Sequence, residues 1–330
     1  MFKDKTILID GGSGSWGNEL TKQLLEKEPK KIIIFSRGEL AQVNMERNFR
    51  NDVIEYVIGD IRDYDAVDRL FQRGIDIVFH LAALKHVPVC ENQPQEAIKT
   101  NINGTINLIN AAIKYKVKKF VDVSTDKAVA PTNLYGMTKS VGEKLTIQAN
   151  NLTPYTDFVC IRGGNVLGSN GSVVPYFINQ IRKNNEVTIT DNTMTRFFLT
   201  LSEAIKLLFQ ATEFSVGGET FVMNMPSFYI KDLAQLLIFH YGNKTTKIKE
   251  IGIREGEKID EVLISEHESV ISYKLNENYY VILPTIKINK DYSYLNNYQK
   301  VSFKMFSSAN NIQNDEYLHE LLLKGGFLNK

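Results

Sequence analysis

The chain has 330 residues, 43% hydrophobic and 23% charged, enough for a sizeable core in two domains or in one large domain with a lobe attached. Its formal net charge of +1 removes the electrostatic basis for binding nucleic acid or a membrane surface, and no apolar run approaches the ~20 residues of a membrane span. Met1–Lys5 is charged and leads straight into a strand, so no signal peptide is expected and the expected location is cytoplasmic.

Thr6–Asp10 reads as a strand buried on both faces of a parallel sheet. It runs into Gly11-Gly12-Ser13-Gly14-Ser15-Trp16-Gly17 and an amphipathic helix from Asn18 to Lys27. Strand, glycine turn and helix in that order point to a phosphate site. The glycines let backbone approach a pyrophosphate, and the helix N-terminus offers unpaired N–H groups. A glycine-rich connection without a ligand is the plain alternative. Lys31–Phe35 is a second strand. NAD-preferring proteins commonly close this strand with an acid that bonds the ribose hydroxyls, whereas here Ser36 and Arg37 follow. A hydroxyl and a guanidinium suit a 2′-phosphate, so NADP is expected, unless Arg37 is only a solvated surface charge.

Val53–Ile58 is a third strand, ending at Gly59-Asp60-Ile61, and Tyr64–Gln72 is a helix. Asp60 is placed to accept from an adenine amine or, equally, to start the helix. Asp76–His80 is a strand running into Leu81-Ala82-Ala83-Leu84-Lys85-His86-Val87-Pro88, where small residues allow backbone to approach a cofactor. His86 lacks a partner at metal-ligand spacing, so no metal site is expected. Cys90, in an expected loop, and Cys160, in an expected strand, suit reduced thiols better than a disulfide framework. Glu96–Lys116 reads as one long helix in which Asn101 and Asn103-Gly104 permit close packing on the sheet, and Lys118–Ser124 is the fifth strand. The alternation predicts the α/β class, a doubly wound Rossmann-like parallel sheet with ligands at the carboxyl ends of its strands.

Ser124-Thr125-Asp126-Lys127 closes that fifth strand, and Tyr135 and Lys139 share one face of the next helix at i,i+4 spacing. With 15 tyrosines in a lysine-rich chain, such a pair arises by accident, and Tyr115/Lys119 is a second match on the wrong element. Placement distinguishes Tyr135. A tyrosine with a pKa near ~10 is a poor base at neutral pH, a lysine one turn away favours its phenolate, and Thr125 can hold a substrate hydroxyl beside it. That set removes a proton from an alcohol as hydride leaves. Asp126-Lys127 adds an acid and a base that alcohol oxidation does not require and elimination of water does. Read without that chemistry, Asp126 caps a helix and Lys127 is a loop charge.

Beyond Ile161 the alternation loosens. Pro175–Lys183, Ser202–Thr212 and Ile230–His240 look helical, with short strands near Val187–Ile189, Thr220–Met223 and Lys249–Ile253. Tyr279–Leu283 suits a late strand or an interface, and the Asn/Tyr/Lys-rich tail from Thr285 is poorly specified. The expected division is a Rossmann domain over 1–162 and a smaller mixed α/β substrate lobe over 163–330, some of whose segments return to the sheet.

Ser13–Gly17, Ser124-Thr125 and Tyr135/Lys139 resemble the extended short-chain dehydrogenase/reductase superfamily. More narrowly, Ala82–Pro88, Ser124–Ala128 and Asn133–Gly136 resemble the inverting UDP-N-acetylglucosamine 4,6-dehydratases, which open the bacterial pseudaminic acid pathway. The likeness continues through Gly164-Asn165-Val166, Gly171–Pro175, Met194–Phe197 and Gly252–Lys258, weakening after Thr285 although Phe306-Ser307-Ser308 and Asn310-Asn311 still fit. It implies a cytoplasmic homo-oligomer, dimer or larger and a hexamer among the options, acting on a UDP-sugar with tightly bound, recycled NADP.

The resemblance implies roles residue by residue. Tyr135 and Lys139, with Thr125, serve oxidation at sugar C4; Lys127 takes the C5 proton; Asp126 protonates the departing C6 hydroxyl. Ile61, Lys85, Ser124, Tyr135, Lys139 and Val166 join the glycine turn, Ser36, Arg37, Asp60, Ala82 and Ala83 as cofactor residues. Lys85, His86, Tyr135, Asn165, Ser172 and Val173 line the sugar side, Arg196 and Arg254 pair with the diphosphate, and Glu257 accepts from the uridine ribose. Three positions depart from the pattern. Asp10 replaces the usual threonine and brings a carboxylate near the pyrophosphate unless it turns to accept the turn's N–H groups. Gly163 replaces an aromatic wall, and Asn170 replaces an arginine. A sugar-nucleotide epimerase, or a cofactor-binding protein without turnover, is the alternative.

Overall fold

The computed structural model describes residues 1–169 and 171–328. Its first half runs β1 (Thr6–Asp10), α1 (Ser15–Leu25), β2 (Lys31–Ser36), α2 (Glu39–Phe49), β3 (Ile54–Ile58), α3 (Tyr64–Phe71) and β4 (Ile77–His80). α4 (Val87–Asn92), α5 (Pro94–Ile98), a π-turn at Lys99–Asn103 and α6 (Gly104–Lys114) lead to β5 (Lys119–Thr125), α7 (Leu134–Ala149) and β6 (Asp157–Gly163). There follow β7 (Asn165–Leu167), α8 (Val173–Asn184), β8 (Glu186–Ile189), β9 (Thr195–Thr200), α9 (Leu201–Phe214), β10 (Thr220–Met223), β11 (Ser227–Tyr229) and α10 (Ile230–Tyr241). The last elements are β12 (Lys247–Glu250), β13 (Val262–Ile264), α11 (Glu266–Ser269), β14 (Ser272–Asn276), β15 (Tyr279–Ile282), β16 (Gln299–Lys300), β17 (Phe306–Ser307) and α12 (Asp315–Lys324).

The main sheet has the order β16-β14-β15-β10-β6-β5-β4-β1-β2-β3. From β3 to β10 every pairing is parallel, and β15, β14 and β16 continue it antiparallel. The α/β expectation is borne out. Period-two alternation divides the apolar residues between the sheet's two faces. Ile7, Ile9, Ile32 and Ile34 pack on one side, while Leu8, Ile33, Phe35 and Phe120 pack on the other. The chain winds outward from β1 to β3 and then crosses to β4 on β1's other side, so a crevice opens at the carboxyl ends of β1 and β4.

Four strands from beyond residue 163, β10, β14, β15 and β16, extend this sheet, so the 162/163 boundary divides the chain but not the sheet. The small sheets β11-β9-β7 and β12-β8 gather around a third core of Phe177, Phe198, Leu233 and Leu321, whereas Leu263, Ile264 and Phe306 of the β13-β17 pair join the main core. Among the described residues no helix is long and apolar enough to cross a membrane.

Two local expectations need correction. The helix expected over Glu96–Lys116 is interrupted by the π-turn. There Asn101 serves the loop after β4, accepting from Leu84 N and donating to Leu84 O and Thr138 Oγ1 at 2.8–2.9 Å. A bulge that aims one side chain out of register is a common use of π geometry. Cys90 lies in α4 rather than a loop, and it and Cys160 are buried free thiols. Helix α2 was not anticipated because it buries only Gln42 and Met45, too little for an apolar stripe to show.

Candidate active site

The glycine turn is shaped by what cannot fit there. Gly11 has φ +62°, and a Cβ on it would lie 2.8 Å from Ala82 N, so β1 and the loop after β4 meet backbone to backbone. Gly14 caps α1 without a side-chain acceptor, and the first turn of α1 carries no acid. Its N–H groups and the positive end of the helix therefore suit a pyrophosphate. Ser13 Oγ lies 2.9 Å from Ser36 Oγ, which also accepts from Gln42 Nε2 at 2.9 Å, so the turn is tied to the end of β2.

Asp10 does not serve its own turn. Its Oδ1 accepts from Leu81 N at 3.0 Å and Ala82 N at 2.8 Å, and lies 2.9 Å from Nδ1 of His80, its register partner on β4. His80 Nε2 meets Thr105 Oγ1 at 2.9 Å. The departure thus builds a buried brace across the crevice floor, with Asp10 Oδ2 left unpartnered among the described residues.

At the adenosine end, Arg37 is half exposed with NH1 3.8 Å from Asp60 Oδ2. Asp60 already accepts from Arg62 N at 2.9 Å and Arg62 Nε at 2.8 Å, so its carboxylate is occupied where an adenine contact was expected. Burial alone would raise the Asp60 carboxyl; hydrogen bonds and charge from Arg62 outweigh it and hold the group below its ordinary value. Ile61 is buried against α6, where a Cβ on Gly104 would lie 2.5 Å from its Cδ1.

A cleft of about 580 Å³ lies over these strand ends. Gly11, Gly14, Ser15, Trp16, Ala82 and Ala83 line its cofactor side; Ser124, Thr125, Lys127, Tyr135 and Lys139 form its middle. Lys85, His86, Asn165, Val166, Ser172 and Val173 close it toward the lobe. Ser13, Gly17, Ser36, Arg37, Asp60 and Ile61 stand outside this lining. A second cleft of about 430 Å³ joins it at Lys127, Asn165 and Val173, and holds Arg196, Arg254 and Glu257.

The middle of the cleft gathers the titratable groups. β5 ends in a 3₁₀ turn, Asp126–Ala128, that turns Asp126 inward to full burial. Lys127 Nζ donates to Asp126 Oδ1 at 3.0 Å and lies 3.4 Å from Glu261 Oε1. Thr125 donates its hydroxyl to Asp126 Oδ1 at 2.9 Å. Burial opposes the Lys127 charge, yet Asp126 and Glu261 together hold its ammonium pKa well above the ordinary value. Asn133 caps α7, accepting from Gly136 N at 2.9 Å, and so sets Tyr135 and Lys139 on the inner face. Burial pushes the Tyr135 phenol up; Lys139 and Lys127 pull it back without restoring its ordinary value. Lys139 Nζ donates to buried Asp122 Oδ1 at 2.8 Å, and that carboxylate outweighs desolvation to keep the amine charged. Burial lowers the Lys85 amine.

Several sequence expectations meet a different geometry. Arg196 donates NH1 to Thr195 O and Ile259 O and NH2 to Lys258 O, at 2.7–2.9 Å. Its fork holds the 258–261 stretch and is not open to a diphosphate, which leaves half-exposed Arg254. Ser124 donates its hydroxyl to Glu143 Oε1 at 2.5 Å, away from the chemistry, and Thr125 is the hydroxyl that remains. Beside Gly163 stands buried Met223, whose Sδ would be 3.3 Å from an added Cβ, and neither residue lines either cleft. Asn170 lies outside the described residues. Tyr115 and Lys119 bond Asp68 and Ser215 and take no part in the cleft.

Two functional carboxylates escaped the sequence reading. Asp122 had a signal, a charge in the middle of a buried strand, which almost never stays unpaired. Glu261 had none, because its partner Lys127 is distant in the chain.

The family model for polysaccharide biosynthesis proteins matches residues 7–283. The chain belongs to this family. It is 46% identical over 292 residues to the inverting UDP-N-acetylglucosamine 4,6-dehydratase of Campylobacter jejuni subsp. jejuni serotype O:23/36 (strain 81-176), across 87% of this chain and 85% of that one. It is 40% identical over 331 residues to the UDP-glucose 4-epimerase of Rickettsia canadensis (strain McKiel), across 98% and 96% of the two chains. The solved structure of Pen from Bacillus thuringiensis superposes with a TM-score of 0.93 at 40% identity, covering 99% of this chain and 100% of that one. The resemblance to the inverting dehydratases is borne out.

Proposed function

We propose that this chain catalyses NADP-dependent 4,6-dehydration of UDP-N-acetylglucosamine with inversion at C5, yielding a UDP-2-acetamido-2,6-dideoxy-4-hexulose for a pseudaminic-acid-like route. The observation that carries this reading is the Asp126–Lys127 pair, 3.0 Å apart, where the two clefts meet beside Tyr135. The site fits a nicotinamide dinucleotide. The glycine turn and α1 would hold the pyrophosphate, and Ser36 and Arg37 the 2′-phosphate. A nicotinamide held there would supply a hydride acceptor for sugar C4 and a hydride source for C6.

Tyr135 Oη is placed to take the proton of the C4 hydroxyl once its own phenol proton has left, and the cations of Lys139 and Lys127 offset part of what burial costs that phenolate. Oxidation at C4 acidifies the C5 hydrogen. Lys127 rests as an ammonium against Asp126, so it is not a base until it passes a proton to that carboxylate. That one transfer makes both groups the elimination needs. The neutral amine removes the C5 proton, and the carboxylic acid protonates the C6 oxygen as it leaves as water. A solvent-derived proton then reaches C5 on the opposite face, balanced by release of the proton held on Tyr135 Oη. Arg254 and Glu257 in the second cleft would take the diphosphate and the uridine ribose.

Epimerisation at C4 is the competing reading, favoured by the Rickettsia relative's name. It would use Tyr135 and Lys139 and leave Asp126–Lys127 without a task. NMR of UDP-N-acetylglucosamine with the enzyme in deuterated water separates them. The expected product is a 4-keto-6-deoxy sugar, deuterated and inverted at C5; only starting sugar and its C4 epimer would overturn the dehydratase.

A further inference from the structure

Lys127 is held from two sides. Asp126 is its chain neighbour, whereas Glu261 arrives from the stretch before β13 and places Oε1 3.4 Å from Nζ. Glu261 is 3% exposed, and its Oε2 is buried with no hydrogen-bond partner among the described residues. An unsatisfied buried acceptor is costly, so its retention asks for a use. The carboxylate is also firmly mounted. Glu261 N donates to Ser308 Oγ, and Ser308 N donates to Glu261 O, both at 2.9 Å. Ser308 Oγ in turn lies 2.6 Å from Thr195 Oγ1.

We propose that Glu261 is a positioning residue for the elimination step, holding the Lys127 amine in place both as ammonium and as free base. This rests on the dehydratase reading. Arg196 Nε stands 3.8 Å from the same Oε1, so Glu261 keeps a cationic neighbour when Lys127 passes its proton to Asp126. The neutral amine retains two N–H bonds. Glu261, with one engaged oxygen and one unused, accepts from them while the lone pair addresses C5. Once Lys127 has taken the C5 proton, the same carboxylate stabilises the new ammonium.

The charged groups around Lys127 are few. Asp126 lies on its own turn, Tyr135 and Lys139 on α7, Arg196 on β9, and Lys258 and Glu261 before β13. Removing the Glu261 charge takes away one of the two carboxylates that hold the Lys127 ammonium.

The test follows C5 deuterium incorporation and turnover, with kcat and KM separated, in wild type, Glu261→Gln and Glu261→Asp, with NADP affinity measured alongside. Glu261→Gln is expected to bind NADP normally, to keep KM within about twofold and to exchange C5 about 10- to 100-fold more slowly. Glu261→Asp, whose carboxylate stands one methylene short of Lys127, should likewise lower kcat at unchanged KM. A Gln variant that exchanges C5 at the wild-type rate, or whose loss lies in KM or NADP affinity, overturns the proposal. Should that variant fail to fold, Glu261→Asp decides, and wild-type kcat there overturns it. A wild-type enzyme that puts no deuterium on C5 fails the dehydratase reading itself; a competent wild type with an indifferent Gln variant fails only this inference.

Discussion

Two buried ion clusters flank the carboxyl end of β5, and they are built to opposite specifications. In the first, Arg162 reaches Glu143 through Nε at 2.8 Å and NH2 at 2.7 Å, Glu268 at 2.8 Å and Leu263 O at 3.1 Å. Ser124 and Ser265 fill the carboxylates' other positions, and no oxygen of Glu143 or Glu268 lacks a partner. In the second, Asp126, Lys127 and Glu261 leave Asp126 Oδ2 and Glu261 Oε2 unpartnered among the described residues. Both clusters bury charge, but the charged groups of the first line neither cleft, whereas Lys127 and Glu261 of the second do. A saturated network fixes structure, whereas an unsaturated one beside a cavity has capacity for a substrate or a moving proton.

The sharpest way to break the comparison is to remove one cation from each cluster. Arg162→Met leaves Glu143 and Glu268 buried without their counter-charge, with no cleft to admit water. The expected loss is about 3–5 kcal/mol of stability, read by urea unfolding. A loss under about 1 kcal/mol would show that the network is not structural.

Lys127→Ala should do the reverse. Water from the cleft can solvate Asp126 and Glu261, so the folded state and NADP affinity survive. C5 proton exchange should fall by about 10²–10⁴-fold, the usual span for a general base. Exchange at the wild-type rate would assign the base elsewhere.

The difference between the clusters also marks how far the sequence could be read. β1 to β5 were legible because buried parallel strands are short apolar runs between glycines and helices, a strictly local signal. The glycine turn was legible for the same reason, since strand, turn and helix are contiguous. Tyr135 and Lys139 share a helix face by spacing alone. The pairs Lys127–Glu261, Lys139–Asp122 and Arg162–Glu143 were not legible, because each joins elements that only the folded sheet brings together. The tail from Thr285 read as unspecified, yet it supplies β16, β17 and α12, and its Ser308 mounts Glu261. Strands as short as β16 and β17 carry too few residues for alternation to register. Arg196 misled for a related reason. A sequence can show a guanidinium near a phosphate motif, but not that three carbonyls already accept from it.

Arg37 extends the comparison to solvent, and there the expected effect is smallest. Its contact with Asp60 is long, 3.8 Å, and Arg37 is 53% exposed, so the pair contributes little to stability. Asp60 keeps Arg62 as its main partner whether or not Arg37 is present. Arg37→Ser should therefore leave urea unfolding unchanged. What it removes is a cation at the end of β2, where a 2′-phosphate would lie and a free ribose hydroxyl would not need one. NADP affinity is expected to fall about tenfold, about 1.4 kcal/mol, with NAD affinity unchanged. Titration of both dinucleotides against the variant checks this. Equal losses for the two would make Arg37 a general adenosine contact, and no loss for either would make it the solvated surface charge that its exposure alone suggests.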